Sequence, residues 1–374
     1  MKKVLSIFLV VALLAISLVG CSDTPEQSQT PPATTGPEVK PDTPDTPATP
    51  APEADGGIAK IGLGHVIKIG SSKELEGETT PVGQVDNTIA AVAFDKDGKI
   101  VKVTVDTVQT KVAFDKDLKL TTDLTAELKS KVELGDGYGM VKASSIGKEW
   151  YQQMAEFEKW MIGKTVAEVK ALPVKERDAS HKAVPDVPEL ASTVTITVEG
   201  YIEAVEEAYQ KAVAVEAGAE KLGLGHDIGI GKSKGLDGDN GPVVQVDTTI
   251  AATAFDASGK VVKTIVDVAQ TKIQFDKDGK LTTDKAGEFK TKKELGDAYG
   301  MVKASSIGKE WYQQMEEFEK WMAGKTVSEI KALPVKERDA SHKAVPDVPE
   351  LTSTVTITVE GYQAAVEESY ANAK

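Results

Sequence analysis

The chain has 374 residues, of which 40% are apolar, enough for two or three ordinary cores and too much for a disordered polymer. Its formal charge of −14, from 58 acidic and 44 basic side chains, leaves no basic stripe to neutralise phosphates, so no nucleic-acid partner is expected. A single cysteine excludes an intrachain disulfide, a cysteine-rich zinc site, a cysteine-ligated iron–sulfur cluster and a Cys-x-x-Cys-His haem attachment.

That cysteine closes an N-terminal leader. Lys2 and Lys3 precede a nearly unbroken apolar run from Val4 to Leu18, and Leu18-Val19-Gly20-Cys21 ends it with small residues. The pattern resembles a lipobox, which makes 1–20 a signal peptide and Cys21 the lipid-modified first residue of an exported, membrane-anchored protein. The run is short for a spanning helix. Residues 21–56 are Pro, Thr, Ala, Glu and Asp with little to bury, the composition of a disordered tether. Fully extended, such a segment reaches on the order of 100 Å.

From Gly57 onward the sequence is written twice. Gly62-Leu63-Gly64-His65 returns as Gly223-Leu224-Gly225-His226, and later landmarks return 161 positions on without insertion. Two tandem domains follow, 57–215 and 216–374. Leu134 to Tyr201 differs from Leu295 to Tyr362 at six positions, whereas the early halves have drifted: Gly83-Gln84-Val85-Asp86 answers to Val244-Gln245-Val246-Asp247.

Within the first copy, Thr88–Phe94 and Lys99–Val105 are β-rich runs joined by Asp95-Lys96-Asp97-Gly98, and a further β-rich run ends at Asp115. These are the marks of antiparallel hairpins. Ile146, Trp150, Met154, Phe157 and Met161 then fall on one helical face, with Ser145 as the expected N-cap. A short helix over Thr165–Leu172, a proline-punctuated loop through His181, and a helix over Val198–Val213 complete the copy. The last helix is expected to bury Tyr201, Ile202, Val205 and Tyr209. The predicted class is α+β, two tandem antiparallel-sheet-plus-helices domains.

Several features carry little chemistry. The glycine-rich run from Gly223 to Gly231 lacks the strand, turn and helix context of a dinucleotide fingerprint. The acidic turns Asp95–Gly98 and Asp276–Gly279 lack the remaining ligands of a calcium loop and read as hairpin turns. His65, His181, His226 and His342 show no paired ligand spacing and read as surface or loop histidines, so no metal site is expected.

Chemistry concentrates ahead of the long helix, in Gly137-Tyr138-Gly139-Met140-Val141-Lys142-Ala143-Ser144-Ser145-Ile146-Gly147-Lys148-Glu149-Trp150, repeated from Ala298 to Trp311. Free N–H groups at a helix start favour an anion. Lys142 and Lys148, with Lys303 and Lys309 in the second copy, stand against the helix dipole; either a phosphate lies there, or Ser145 is an ordinary N-cap and the lysines are solvated, the reading that local physics alone favours.

This run, with Val194–Tyr201 and the leader, resembles the tandem FMN-binding-domain lipoproteins of Gram-positive extracellular electron transfer, the pheromone-lipoprotein type, over nearly all of both copies. The resemblance implies FMN attached through its phosphate to a hydroxyl that follows an alanine: Ser144 after Ala143 and Ser305 after Ala304. The commoner pattern is Asp-x-x-Ser/Thr-Gly-Ala-Thr/Ser, and here Tyr138, Val141 and Lys142 stand at its first three fixed positions, so Ser145 and Ser306 stay open as acceptors. Tyr138 and Met140, with Tyr299 and Met301, are the nearest groups to support the ring. The family further implies a flavin transferase, a membrane quinone-linked dehydrogenase as donor, and extracellular acceptors. On this reading the protein is a carrier on the outer membrane face and not a substrate-specific enzyme. The rival is a flavin-free surface lipoprotein binding a peptide, sugar or wall polymer.

Overall fold

A computed structural model of the chain describes residues 57–374. The leader, Cys21 and the tether lie outside them. In the first copy, β1 (Lys60–Lys68), β2 (Val82–Phe94) and β3 (Ile100–Ala113) form an antiparallel meander. Short α1 (Lys131–Leu134) and a 3₁₀ turn (Gly135–Tyr138) lead to α2 (Trp150–Met161) and α3 (Val166–Lys170). The two-residue strands β4 (Val174–Lys175) and β5 (Val184–Pro185) pair around the His181 loop. Then come α4 (Pro188–Ala191), α5 (Glu199–Gln210) and β6 (Val213–Ala214), which adds to the β1 edge.

The second copy repeats the plan. It contains β7 (Lys221–Gly229), β8 (Val243–Phe255), β9 (Val261–Gln274), α6 (Lys292–Leu295), α7 (Trp311–Met322) and α8 (Val327–Lys331). The pair β10 (Val335–Lys336) and β11 (Val345–Pro346) and the helix α9 (Glu360–Ala371) complete it. The α+β class is as predicted. The turn expected at Asp95–Gly98 is formed: Asp95 Oδ1 accepts from the N–H of Asp97 and Lys99, and Gly98 supplies a φ of 79°.

Each sheet is apolar on both faces, for two different reasons. Ala90, Val92 and Phe94 of β2 point to a core closed by Trp150, Met154 and Phe157 of α2 and Ala204, Val205 and Ala208 of α5. The alternate residues Ile89, Ala91 and Ala93 pack on Leu222, Leu224, Ile250, Ala252 and Ala254 of the other copy. The copies therefore meet sheet to sheet with their helices outside, in one compact unit. Alternation of side chains along a strand turns an unbroken apolar run into two contact surfaces.

The repeated glycines have a packing reason. A Cβ on Gly62 would lie 1.8 Å from the Ala208 carbonyl oxygen, and one on Gly64 would lie 2.0 Å from that of Ala204. Strand and helix backbones touch there, as Gly223 and Gly225 touch α9. Close approach, and not phosphate binding, is what the Gly-Leu-Gly-His strand serves.

Two helix expectations need correction. The long helix starts at Trp150 and not at Ile146, because the buried Glu149 caps it. The helix predicted to reach Val213 stops at Gln210, and Tyr209 is 48% exposed, its ring edge resting on Phe94 at 5.2 Å. The small Ala204 and Ala208 take the buried stripe because the helix lies directly on glycine backbone.

Candidate functional site

The loop between β3 and α2 is fixed at both ends. Ser130 and Glu133 form a reciprocal capping box on α1. Gly139, with φ 76°, ends the 3₁₀ turn that carries Tyr138. At the far end the Glu149 carboxylate accepts from the N–H of Met140 at 2.7 Å and of Val141 at 3.1 Å, and also closes a capping box with Gln152. The chain thus supplies its own anion to the start of α2. The free helix N-terminus expected from the sequence is occupied, Ser145 is exposed and is not the cap, and Lys148 precedes the cap instead of sitting in the first turn.

Ser144 and Ser145 are treated differently by the fold. Ser144 is half-buried, and its Oγ accepts from the Lys148 N–H and from Gln153 Nε2, both at 3.2 Å. Gln153 is fully buried on α2, and its Oε1 accepts from the N–H of Thr195 at 2.8 Å and from Thr195 Oγ1 at 3.2 Å. The Thr195 N–H fixes which end of the amide is oxygen, so the nitrogen must face Ser144. With both acceptor directions of Oγ engaged, the Ser144 hydroxyl hydrogen is not used in either of these bonds. The second copy repeats this: Ser305 Oγ accepts from the Lys309 N–H at 3.3 Å and from Gln314 Nε2 at 3.1 Å, and Gln314 accepts from the Thr356 N–H at 2.8 Å. Ser306, like Ser145, is exposed.

The other expected site residues divide. Lys142, Ala143, Lys303 and Ala304 are exposed on the same turns, and Lys148 and Lys309 are half-buried beside the serines. Tyr138 and Met140 pack on the rim of the α2–α5 core, as Tyr299 and Met301 do in the second copy. The Lys131 ammonium lies 4.9 Å from the Tyr138 ring centre and 5.4 Å from that of Trp150. Lys292 makes the matching contacts with Tyr299 at 5.0 Å and Trp311 at 5.2 Å, and desolvation there lowers its pKa to about 8. Beneath, Trp150 Nε1 donates to the Tyr201 hydroxyl at 2.8 Å, and Trp311 to Tyr362 likewise.

A phosphate esterified at Ser144 or Ser305 fits these residues in part. The serines are half-buried at the surface and lysines share their turns, while the N–H groups of Met140 and Val141, and of Met301 and Val302, are already taken by Glu149 and Glu310.

No family model matches the chain. No solved structure matches it either. Among curated proteins, a chlorophenol reductase of Desulfitobacterium hafniense is 37% identical over 108 residues, which covers 25% of this chain and 32% of that protein. The chain spans about a third of the relative it matches.

Histidines read as surface or loop residues prove to be of two kinds. His181 and His342 lie in loops, each with Nδ1 2.7 Å from the carboxylate of Asp178 or Asp339, which holds that carboxyl below its usual range. His65 and His226 are 8% and 7% exposed, on β1 and β7 between the copies. Their carboxylate neighbours come from several elements far apart in sequence, so spacing could not reveal them. The one local signal was a histidine directly after a glycine inside a strand.

Proposed function

We propose that the protein is a lipid-anchored carrier of electrons on the outer face of the membrane, with one FMN joined through its phosphate to Ser144 and a second to Ser305. The observation that carries this reading is the twinned arrangement of serine, buried glutamine and threonine N–H, which commits a buried amide to presenting one surface hydroxyl in each copy. Ser145 and Ser306 have no comparable support. The reduction named for the similar protein, a chlorophenol reductase, belongs to the same broad class of chemistry.

In this reading the flavin supplies the redox chemistry when bound, and the protein positions it. Gln153 and Gln314 orient the acceptor oxygens, while Lys142, Lys148, Lys303 and Lys309 offset phosphate charge. Tyr138, Met140, Tyr299 and Met301 form the apolar ground beside each attachment point. The transferase supplies the chemistry of attachment, a membrane quinone-linked dehydrogenase supplies electrons, and extracellular acceptors receive them.

Intact mass and a visible spectrum of protein exported alongside a flavin transferase test this. Two added FMN groups that survive denaturation are expected, and Ser144→Ala with Ser305→Ala should remove both while Ser145→Ala with Ser306→Ala keeps both. A colourless, unmodified protein from a host that flavinylates a control substrate would overturn the proposal and leave the binding lipoprotein as the better account.

A further inference from the structure

Where the two copies meet, the duplication builds two related clusters, each drawing residues from both halves. In one, His65 and Glu207 of the first copy face Asp267 and Glu294 of the second. In the other, His226 and Glu368 of the second copy face Asp106 and Glu133 of the first. The pairs occupy equivalent positions, 161 residues apart. One member breaks the equivalence: Lys211 in the first cluster is replaced by Asn372 in the second.

Lys211 fills the first cluster with a cation. Its ammonium bridges the carboxylates of Glu207 and Glu294, the latter at 2.7 Å. Desolvation would raise Glu294, yet Lys211 overrides it and holds the carboxyl at about 2. The second cluster has the same carboxylates, and among the described residues no ammonium pairs with its glutamates; the nearby Lys374 pairs with Glu158 instead, at 2.6 Å. Asn372 Nδ2 turns to the Leu224 carbonyl at 3.1 Å and lies 3.3 Å from Glu368 Oε1.

We propose that Glu133, His226 and Glu368 form a binding site for one divalent transition-metal ion of the zinc type, held between the two copies in the place that Lys211 occupies in the sister cluster. The ligand atoms lie within 4.8 Å of one another. His226 Nδ1 stands 3.2 Å from Glu368 Oε2 and 3.6 Å from Glu133 Oε2. A tetrahedral ion with bonds of about 2.1 Å needs ligand separations of roughly 3.4 Å. The imidazole side chain is 2% exposed, and the polar groups nearest its buried Nδ1 are the carboxylate oxygens of Glu368 and Glu133. Its other nitrogen, Nε2, lies 3.2 Å from Asp106 Oδ2. Donation from Nε2 to a carboxylate fixes the tautomer with the Nδ1 lone pair toward the two glutamates, the outer support that metal-bound histidines use. A nitrogen ligand beside two carboxylates favours zinc-like ions over magnesium or calcium. Asp106 and Asn372, which touch the cluster, also line a neighbouring cavity of about 250 Å³ with Glu158 and Lys374.

A proton is the competing occupant. Asp106 Oδ2 lies 3.2 Å from His226 Nε2 and Glu368 Oε2 lies 3.2 Å from Nδ1, so a ring protonated on both nitrogens is also satisfied there, and an ion that binds Nδ1 must displace its proton. The proposal involves no part of the flavin reading, and its test needs no flavin.

Full-length protein, made without a histidine tag or a transferase, is titrated with Zn²⁺ by calorimetry and with Co²⁺ by visible absorption. The wild type should bind one ion per chain, with proton release that varies with buffer and a Co²⁺ spectrum of low coordination number. Asn372→Lys, which copies the sister cluster, should abolish binding while leaving the circular dichroism unchanged. Lys211→Asn should create a second equivalent site and raise the stoichiometry from one to two. Absence of binding in the wild type, or binding that neither variant alters, would overturn the site and leave His226 as a buried imidazolium. If Asn372→Lys fails to fold, Lys211→Asn and His226→Gln decide the question: unchanged stoichiometry in both overturns it.

Discussion

The contact between Gly64 and α5 sets a steep penalty for one methyl group. In Gly64→Ala the new Cβ would meet the Ala204 carbonyl oxygen at 2.0 Å and the Ala208 nitrogen at 2.6 Å. Both are backbone atoms, so no rotamer change relieves the clash and α5 must withdraw by more than about 1 Å to restore ordinary contact. A gap of that size forfeits a quarter to a half of each dispersion contact along the helix, and Ala204, Val205 and Ala208 are all fully buried against the sheet. Overpacking ordinarily costs about 1–3 kcal/mol, and an immovable backbone places this case at or above the upper end. Withdrawal would also pull Glu207 from the His65 N–H. Urea unfolding followed by tryptophan fluorescence and circular dichroism measures the loss, with Gly70→Ala as control because a Cβ there meets nothing within 4 Å. If the two variants unfolded within about 0.5 kcal/mol of each other, the close-approach reasoning would be refuted.

Other expectations follow from the same geometry. Gly83→Val should destabilise by about 2–3 kcal/mol, because its Cβ would already lie 2.5 Å from Val244 Cγ2; adding Val244→Gly should recover most of that loss in the same urea assay, and failure of the double variant to recover would sink the explanation. Lys292 has a native pKa depressed from 10.5 to about 8, so the unfolded chain binds more protons between those values and stability should rise with pH across that window. Lys292→Met should flatten that rise, and an identical pH profile for variant and wild type would contradict it. Gln153→Leu keeps the volume but removes the donor to Ser144 and the acceptor for the Thr195 N–H, an unsatisfied buried group costing about 1–3 kcal/mol. On the proposed function it should also lower flavin occupancy at the first copy alone, read by intact mass against the undisturbed Ser305.

What the sequence made legible was local. Alternation, β-branched runs and the Asp-Lys-Asp-Gly turn sufficed for the turn end of the β2–β3 hairpin, Thr88–Phe94 and Lys99–Val105, while the full pairing runs from Val82↔Ala113 to Phe94↔Ile100 and makes the further β-rich run part of the same strand. They did not show that Ile89, Ala91 and Ala93 face a second sheet, because an apolar residue on either side of a strand looks the same in sequence. The start of α2 was misplaced because Ile146 is in phase with Trp150 and Ser145 is a favoured cap residue. The decisive signal was Glu149 with Gln152 three positions on, a box closed by a glutamate instead of a serine. The different surroundings of Ser144 and Ser145 depend on Gln153 and Thr195, which lie 42 positions apart and meet only through the packing of α2 on the C-terminal segment. The histidine clusters were least legible, since His226 and its carboxylate neighbour Asp106 are separated by 120 positions.

The Gly83–Val244 contact has a consequence for how such a molecule can be assembled. These two residues hold the same place in the two copies and meet across the sheet interface. Two identical chains brought together in this way would set that position against itself. Two valines would collide and two glycines would leave a gap. Joining the halves in one polypeptide lifts that restriction, because each side can then be shaped to its neighbour without being shaped to itself. The pairing of Lys211 in one corner with Asn372 in the other uses the same freedom, so that a single chain holds two versions of one junction.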